Sequence, residues 1–148
     1  HAHVDDSITF PCNCGAYGCL EQIASATGIA RIAREALAAT DAPSVMRKEE
    51  NVTAKTVFDA VKENDVIAIQ VAERFGSCLG KALASFAVVA DPEIIVIGGG
   101  VSKAGPVLLD YIIPTYKRYA FSGCKDTKFE LAKLGNDAGI FGAAKLVL

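Results

Sequence analysis

Several features that would place this chain quickly are missing from it. No arm or run is strongly basic, and Lys plus Arg number 15 against 17 for Asp plus Glu. The net charge of −2 therefore gives no general attraction to nucleic acid or to an anionic membrane. No apolar stretch can span a bilayer: the longest, Ala82–Ala90, is too short and is flanked by Lys81 and Asp91. His1–Asp6 carry neither a basic nor an apolar region, so no secretory signal is expected. The GxxxxGK(S/T) phosphate loop, the GxGxxG fingerprint and any internal repeat are absent. The chain opens on His1 rather than Met, which leads us to expect a fragment or a processed piece.

What is present is a globular composition. Apolar residues make up 51% and charged residues 22% of 148, which excludes a disordered chain and allows one domain with a real core. The distinctive stretch is Cys12-Asn13-Cys14-Gly15-Ala16-Tyr17-Gly18-Cys19-Leu20-Glu21. Three cysteines lie close together with no balanced set elsewhere, which fits a reduced, cytoplasmic compartment and a metal better than a disulfide framework. Three thiolates and one imidazole form a tetrahedral zinc set, and His1 or His3 is near enough to supply the fourth ligand. Such a site has no open position and is structural. Incidental cysteines or a disulfide are the alternative. Zinc-finger binding to nucleic acid is disfavoured by the single half-cluster and the acidic balance. Glu21, at a helix start, is either a carboxylate serving the helix dipole or an acceptor for polyol hydroxyls.

The rest of the chain reads as an α/β layer system. A helix is predicted from Leu20 to about Ala39, bent near Ser25–Gly28. A polar linker follows, with a short helical turn carrying Lys48-Glu49-Glu50. Thr53 caps a helix from Ala54 to Glu63. A long helix spans Val66–Ala90 with an inward stripe of Ile67, Val71, Phe75, Cys78, Ala82, Phe86 and Val89, which makes Cys78 a core residue rather than a nucleophile. On this helix, Gly76 and Gly80 allow another backbone to come close. Glu93–Ile97 is a buried strand. A helix from Pro106 to Arg118 is expected to break near Pro114. A second strand covers Lys128–Leu134, and a last helix Ala138–Leu148. Gly98-Gly99-Gly100 lies past the C-terminal end of the first strand, where open α/β sheets bind ligands; a tight turn is the plain alternative.

HAHVDDSITFPCNCGAYGCLEQIASATG at the start resembles the signature of the ROK family of sugar kinases and sugar-responsive repressors. DPEIIVIGGGVSKAG and LGNDAGIFGAAKL resemble its later blocks. The resemblance implies the C-terminal portion of a two-lobed, actin-like (ribonuclease H-like) ATPase fold over residues 1–148, with the N-terminal lobe absent. A full ROK kinase is about twice this length, as two domains require. It implies zinc ligands His1, Cys12, Cys14 and Cys19, with His1 preferred over His3 because His1-x-x-Val4-Asp5 keeps the family's frame. It implies sugar contacts from His1 and Glu21, and an adenine-nucleotide side at Gly98, Gly99, Gly100 and Val101. The expected reaction of the intact protein is ATP- and Mg²⁺-dependent phosphorylation of glucose, by a homodimer, with the catalytic aspartate in the missing lobe. This chain alone is expected to be inactive. The sugar-sensing half of a repressor, or a kinase for another hexose such as N-acetylmannosamine or fructose, are the alternatives.

Overall fold

A computed structural model of the chain describes residues 1–147. Leu148 and the side chain of Asn136, on which parts of the readings above fall, lie outside the described portion. Six α-helices and two strands follow the N-terminal loop: α1 Glu21–Ala24, α2 Ala26–Ala38, α3 Ala54–Lys62, α4 Val66–Ala90, β1 Ile94–Ile97, α5 Val107–Tyr119, β2 Lys128–Leu131 and α6 Ala138–Lys145. The architecture is mixed α/β. Strands β1 and β2 pair in parallel, Ile94 opposite Lys128 and Ile97 opposite Leu131, with α5 in the crossover between them. Among the described residues no helix is long and apolar enough to cross a membrane.

Local chemistry sets the helix starts. The bend or short break expected over Ser25–Gly28 is a break: the Ser25 hydroxyl accepts from the Gly28 N–H at 3.0 Å and caps α2 as a new helix. Thr53 and Thr56 form a reciprocal capping box at α3. Asp65 caps α4 through the Ala68 N–H and also accepts from the Val45 N–H at 2.7 Å. That second bond holds the 3₁₀ turn Val45–Lys48 against the start of α4, so the turn forms a few residues before the expected Lys48-Glu49-Glu50.

Helix α4 is the axis on which the other helices pack. Its first half buries Ile67, Val71 and Phe75 against α2 and α3, with Phe58 and Phe75 edge to face at 5.8 Å. Its second half corrects the predicted stripe. Phe86 is 44% and Val89 89% exposed, while Gly76, Gly80, Ala84 and Ala87 face inward. The reason is steric. A Cβ on Gly76 would run into the Tyr111 carbonyl, and one on Gly80 would stand 2.8 Å from the Ile112 oxygen. Helix α5 therefore seats its backbone on a ridge of small residues, and the bulky residues turn away. Cys78 is half-buried and packs against the main core.

Helix α5 does not break at Pro114; it is continuous from Val107 to Tyr119. Pro114 is exposed, so its ring and the missing N–H fall on the solvent side, while Leu108, Ile112 and Tyr116 hold the buried face. The Tyr116 hydroxyl donates to the Cys124 carbonyl at 2.7 Å, and its ring meets Phe129 of β2 edge to face at 4.9 Å. The second strand ends at Leu131, short of the predicted Leu134, because Ile97, the last residue of β1, sets the length of the ladder.

Replacing Gly76 by Val is expected to destabilise the chain by about 1–3 kcal/mol through overpacking against α5. Val89→Ala, on the exposed side of the same helix, should stay within about 0.5 kcal/mol of the parent. Urea unfolding followed by circular dichroism distinguishes the two.

Candidate metal centre and the carboxylate beside it

Residues 1–20 contain no helix and no regular strand; backbone bonds between two short arms shape them. The Val4 N–H donates to the Gly18 carbonyl and the Leu20 N–H to the Ala2 carbonyl, each at 2.8 Å. His3 is thereby bridged antiparallel to Cys19, and Pro11 is similarly bridged to Tyr17. Inside the second bridge, Cys12 N–H bonds Ala16 O and Gly15 N–H bonds Cys12 O, which folds the cysteine loop into a tight turn. Gly18 is required where the arms meet. Its φ is +63°, and a Cβ there would strike the Asp5 carbonyl and the His3 ring.

This zipping brings His1 to the cysteines. The ligand atoms of His1, Cys12, Cys14 and Cys19 all lie within 4.8 Å of one another. Cys14 Sγ and Cys19 Sγ are 3.6 Å apart, and His1 Nδ1 is 3.5 Å from Cys12 Sγ. The sulfur–sulfur spacing is close to the edge of about 3.8 Å that Zn–S bonds of about 2.3 Å give in a tetrahedron. Among the described residues this is a donor set that can hold a metal, and its soft thiolates with one imidazole suit zinc. Cys12 and Cys19 are buried and Cys14 is exposed. Burial and the neighbouring thiols push Cys19 up to about 11, whereas the Ala16 amide draws Cys14 below the usual thiol range. With its pKa raised, Cys19 would become a ligand only where a bound cation favoured loss of its proton to solvent.

His3 is not part of this set. Its Nδ1 bonds the Tyr17 carbonyl and its Nε2 the Asp6 carboxylate, both at 2.9 Å, and these acceptors hold its pKa above the ordinary imidazole value. Asp5 accepts from the Ser7 hydroxyl and N–H and from Arg74 of α4, and the Ser7 bonds lead in holding it below the usual carboxylate range.

Glu21 opens α1 directly after the loop. Its Oε2 is 2.9 Å from His1 Nδ1 and 3.5 Å from Cys12 Sγ, and its side chain is 38% exposed. A cavity of about 280 Å³ opens beside it, edged by Asn13, Ser25, Thr27 and Arg31. The glycine run lies nearby. A Cβ on Gly100 would touch Ala26 Cβ at 3.6 Å, so the end of β1 and the α1–α2 junction share one edge. Gly98, Gly99 and Gly100 are exposed there, but the Val101 side chain is buried in the core, leaving only its backbone to face that edge.

Sequence reasoning missed two contacts. Gln22 bonds both ends of the cysteine loop, and Arg74 reaches Asp5 across 69 positions. Neither has a local signal: a glutamine in a helix start looks like surface, and a long-range ion pair leaves no spacing to read.

Fold and donor set together define a mixed α/β domain with a candidate cysteine–histidine metal site at its N-terminal edge. The chain belongs to the ROK family, whose profile matches residues 1–148. It is 46% identical over 141 residues to a glucokinase of Halalkalibacterium halodurans, covering 93% of this chain and 43% of that protein. Among solved structures it is similar to a ROK family glucokinase from Streptomyces griseus in complex with glucose and AMPPNP, with a TM-score of 0.84 at 30% identity, covering 99% of this chain and 49% of that one. It is also similar to a ROK family transcriptional regulator, a homolog of the E. coli MLC protein, with a TM-score of 0.76 at 28% identity, covering 88% of this chain and 33% of that one. The chain thus spans less than half the length of the kinases it matches.

Gly18→Ala should cost about 1–3 kcal/mol from backbone strain at positive φ, and more if the His3 ring cannot move aside. Thermal unfolding of parent and variant in the same buffer measures this; an unchanged midpoint would contradict the crowded junction.

Proposed function

We propose that this chain is the C-terminal half of an ATP-dependent hexose kinase, with glucose as its hexose. The observation that carries the reading is the Glu21 carboxylate, half-exposed and set against His1 at the rim of the metal clip. An ionised carboxylate is an acceptor only, and at this rim it can take and orient sugar hydroxyls. The similarity to a kinase solved with glucose and AMPPNP supports the choice of ligands.

In this reading Zn²⁺ held by His1, Cys12, Cys14 and Cys19 supplies structure and no Lewis acidity, because all four positions are filled by the protein. His1 Nδ1 faces Cys12, and a nitrogen given to a metal cannot also bond Glu21, which leaves the carboxylate free for a hydroxyl. Gly98–Gly100, with the backbone of Val101, lie on the nucleotide side, where glycines let a ligand approach the main chain. The 6-hydroxyl would attack the γ-phosphorus of ATP as the bond to the β,γ-bridging oxygen breaks and ADP leaves, its proton passing to an aspartate of the other half, and bound Mg²⁺ would offset the phosphate charge. The work of this chain is placement, on which phosphoryl transfer largely rests. The intact kinase acts in the cytoplasm as a homodimer, and this half alone is inactive.

The likeness to a transcriptional regulator favours one other reading, the sugar-sensing half of a repressor. One experiment on the intact protein decides between them. It is assayed with ATP and a panel of hexoses, alongside calorimetric hexose binding before and after zinc is stripped by a chelator. The kinase reading expects ATP turnover with glucose above the other hexoses, and loss of hexose affinity with the zinc. Hexose binding without turnover would favour the sensor. Unchanged hexose affinity after measured zinc loss would overturn the role given to the clip.

A further inference from the structure

Gln22 is buried, with 8% of its surface exposed, and spends both polar ends of its side chain on the two ends of the cysteine loop. Its Oε1 accepts from the Cys19 N–H at 3.0 Å. Its Nε2 donates to the Phe10 carbonyl at 3.1 Å. The orientation of the amide is fixed by its partners, since an N–H can face only the oxygen and a carbonyl only the nitrogen. Phe10 stands just before the first cysteine of the loop, and Cys19 is the last. One side chain therefore closes both ends of the metal loop. A third tie fixes Gln22 itself: its carbonyl accepts from Arg31 Nη2 at 2.8 Å, and the same guanidinium lies over the Phe10 ring at 4.7 Å. The circuit Phe10–Gln22–Arg31 runs from the loop through α1 to α2 and back.

Glu21 is the residue before Gln22, and Cys19 lies two before Glu21. An element that fixes Gln22 on one side and Cys19 on the other leaves the Glu21 backbone little freedom. We infer that Gln22 is a positioning residue: it holds the ends of the cysteine loop at metal-binding spacing and thereby sets where the Glu21 carboxylate stands. Its part in sugar placement rests on the kinase reading above; its part in holding metal does not.

The test compares Gln22→Met, which keeps the length and apolar bulk of the side chain but makes neither bond, with Gln70→Met on the exposed face of α4. In the intact protein, zinc affinity is measured by competition with a chromogenic chelator, and KM is measured separately for glucose and for ATP. Outer-shell partners of metal ligands are typically worth about 10- to 100-fold in metal affinity, and a loss of that size is expected for Gln22→Met. The glucose KM should rise and the ATP KM stay within twofold, a split that general destabilisation would not produce. Gln70→Met should match the parent in all three. Zinc affinity within twofold of the parent overturns the inference, and weakened zinc with an unchanged glucose KM overturns its claim on Glu21. If the intact protein turns over no hexose, the kinase reading fails and the zinc measurement alone decides the inference. Should Gln22→Met not fold, amide hydrogen exchange in the unmodified protein is the second test: slow exchange at the Cys19 N–H is expected, and free exchange contradicts the bond.

Discussion

The structure depends first on the convergence of three sulfurs and one imidazole nitrogen in the N-terminal loop. The first twenty residues bury little apolar surface; Ile8, Cys12 and Cys19 are the apolar side chains fully withdrawn there. Backbone bonds between Ala2–Val4 and Gly18–Leu20 bring the ligands together, but short exposed arms are weak without a cross-link. A metal ion held by the four donors would supply that cross-link. Burial and the two neighbouring thiols raise the pKa of Cys19, so its thiolate is unfavourable there without a positive charge beside it.

The second constraint lies along α4. Its ridge of Gly76, Gly80, Ala84 and Ala87 lets α5 approach closely, and this placement carries the crossover that sets β1 beside β2. The glycine run at the end of β1 consequently lies by Ala26, within reach of the edge that holds Glu21. The same arrangement leaves Phe86, Val89, Ile94 and Val96 on the outside. A parallel sheet is normally covered on both faces, and two strands of four residues each are a short sheet. That bare face fits a chain spanning less than half the length of its kinase relatives.

Much of this was legible in the sequence, and for physical reasons. Caps announce themselves within four residues, so Thr53 was found where it acts, whereas Ser25 was read as a bend and not as a cap. The β-branched run was a strand as read, but not a buried one: Ile94 and Val96 are exposed. The cysteine spacing pointed to a candidate metal site before any geometry was known, and the family resemblance, through the frame His1-x-x-Val4-Asp5, favoured His1 over His3. Heptad-like spacing misled over the second half of α4, because it ranks residues by size, whereas the neighbouring helix selected the face that was small enough. Pro114 misled because a missing N–H costs little where it faces water. Gln22 and Arg74 were invisible because their roles exist only once distant segments meet.

The account stands or falls on the first shell of the metal. X-ray absorption at the zinc edge of the purified protein should report three sulfurs at about 2.3 Å and one nitrogen at about 2.0–2.1 Å. A first shell of oxygens and nitrogens alone, or protein that keeps its fold and carries no zinc, would contradict the clip and the position it gives to Glu21.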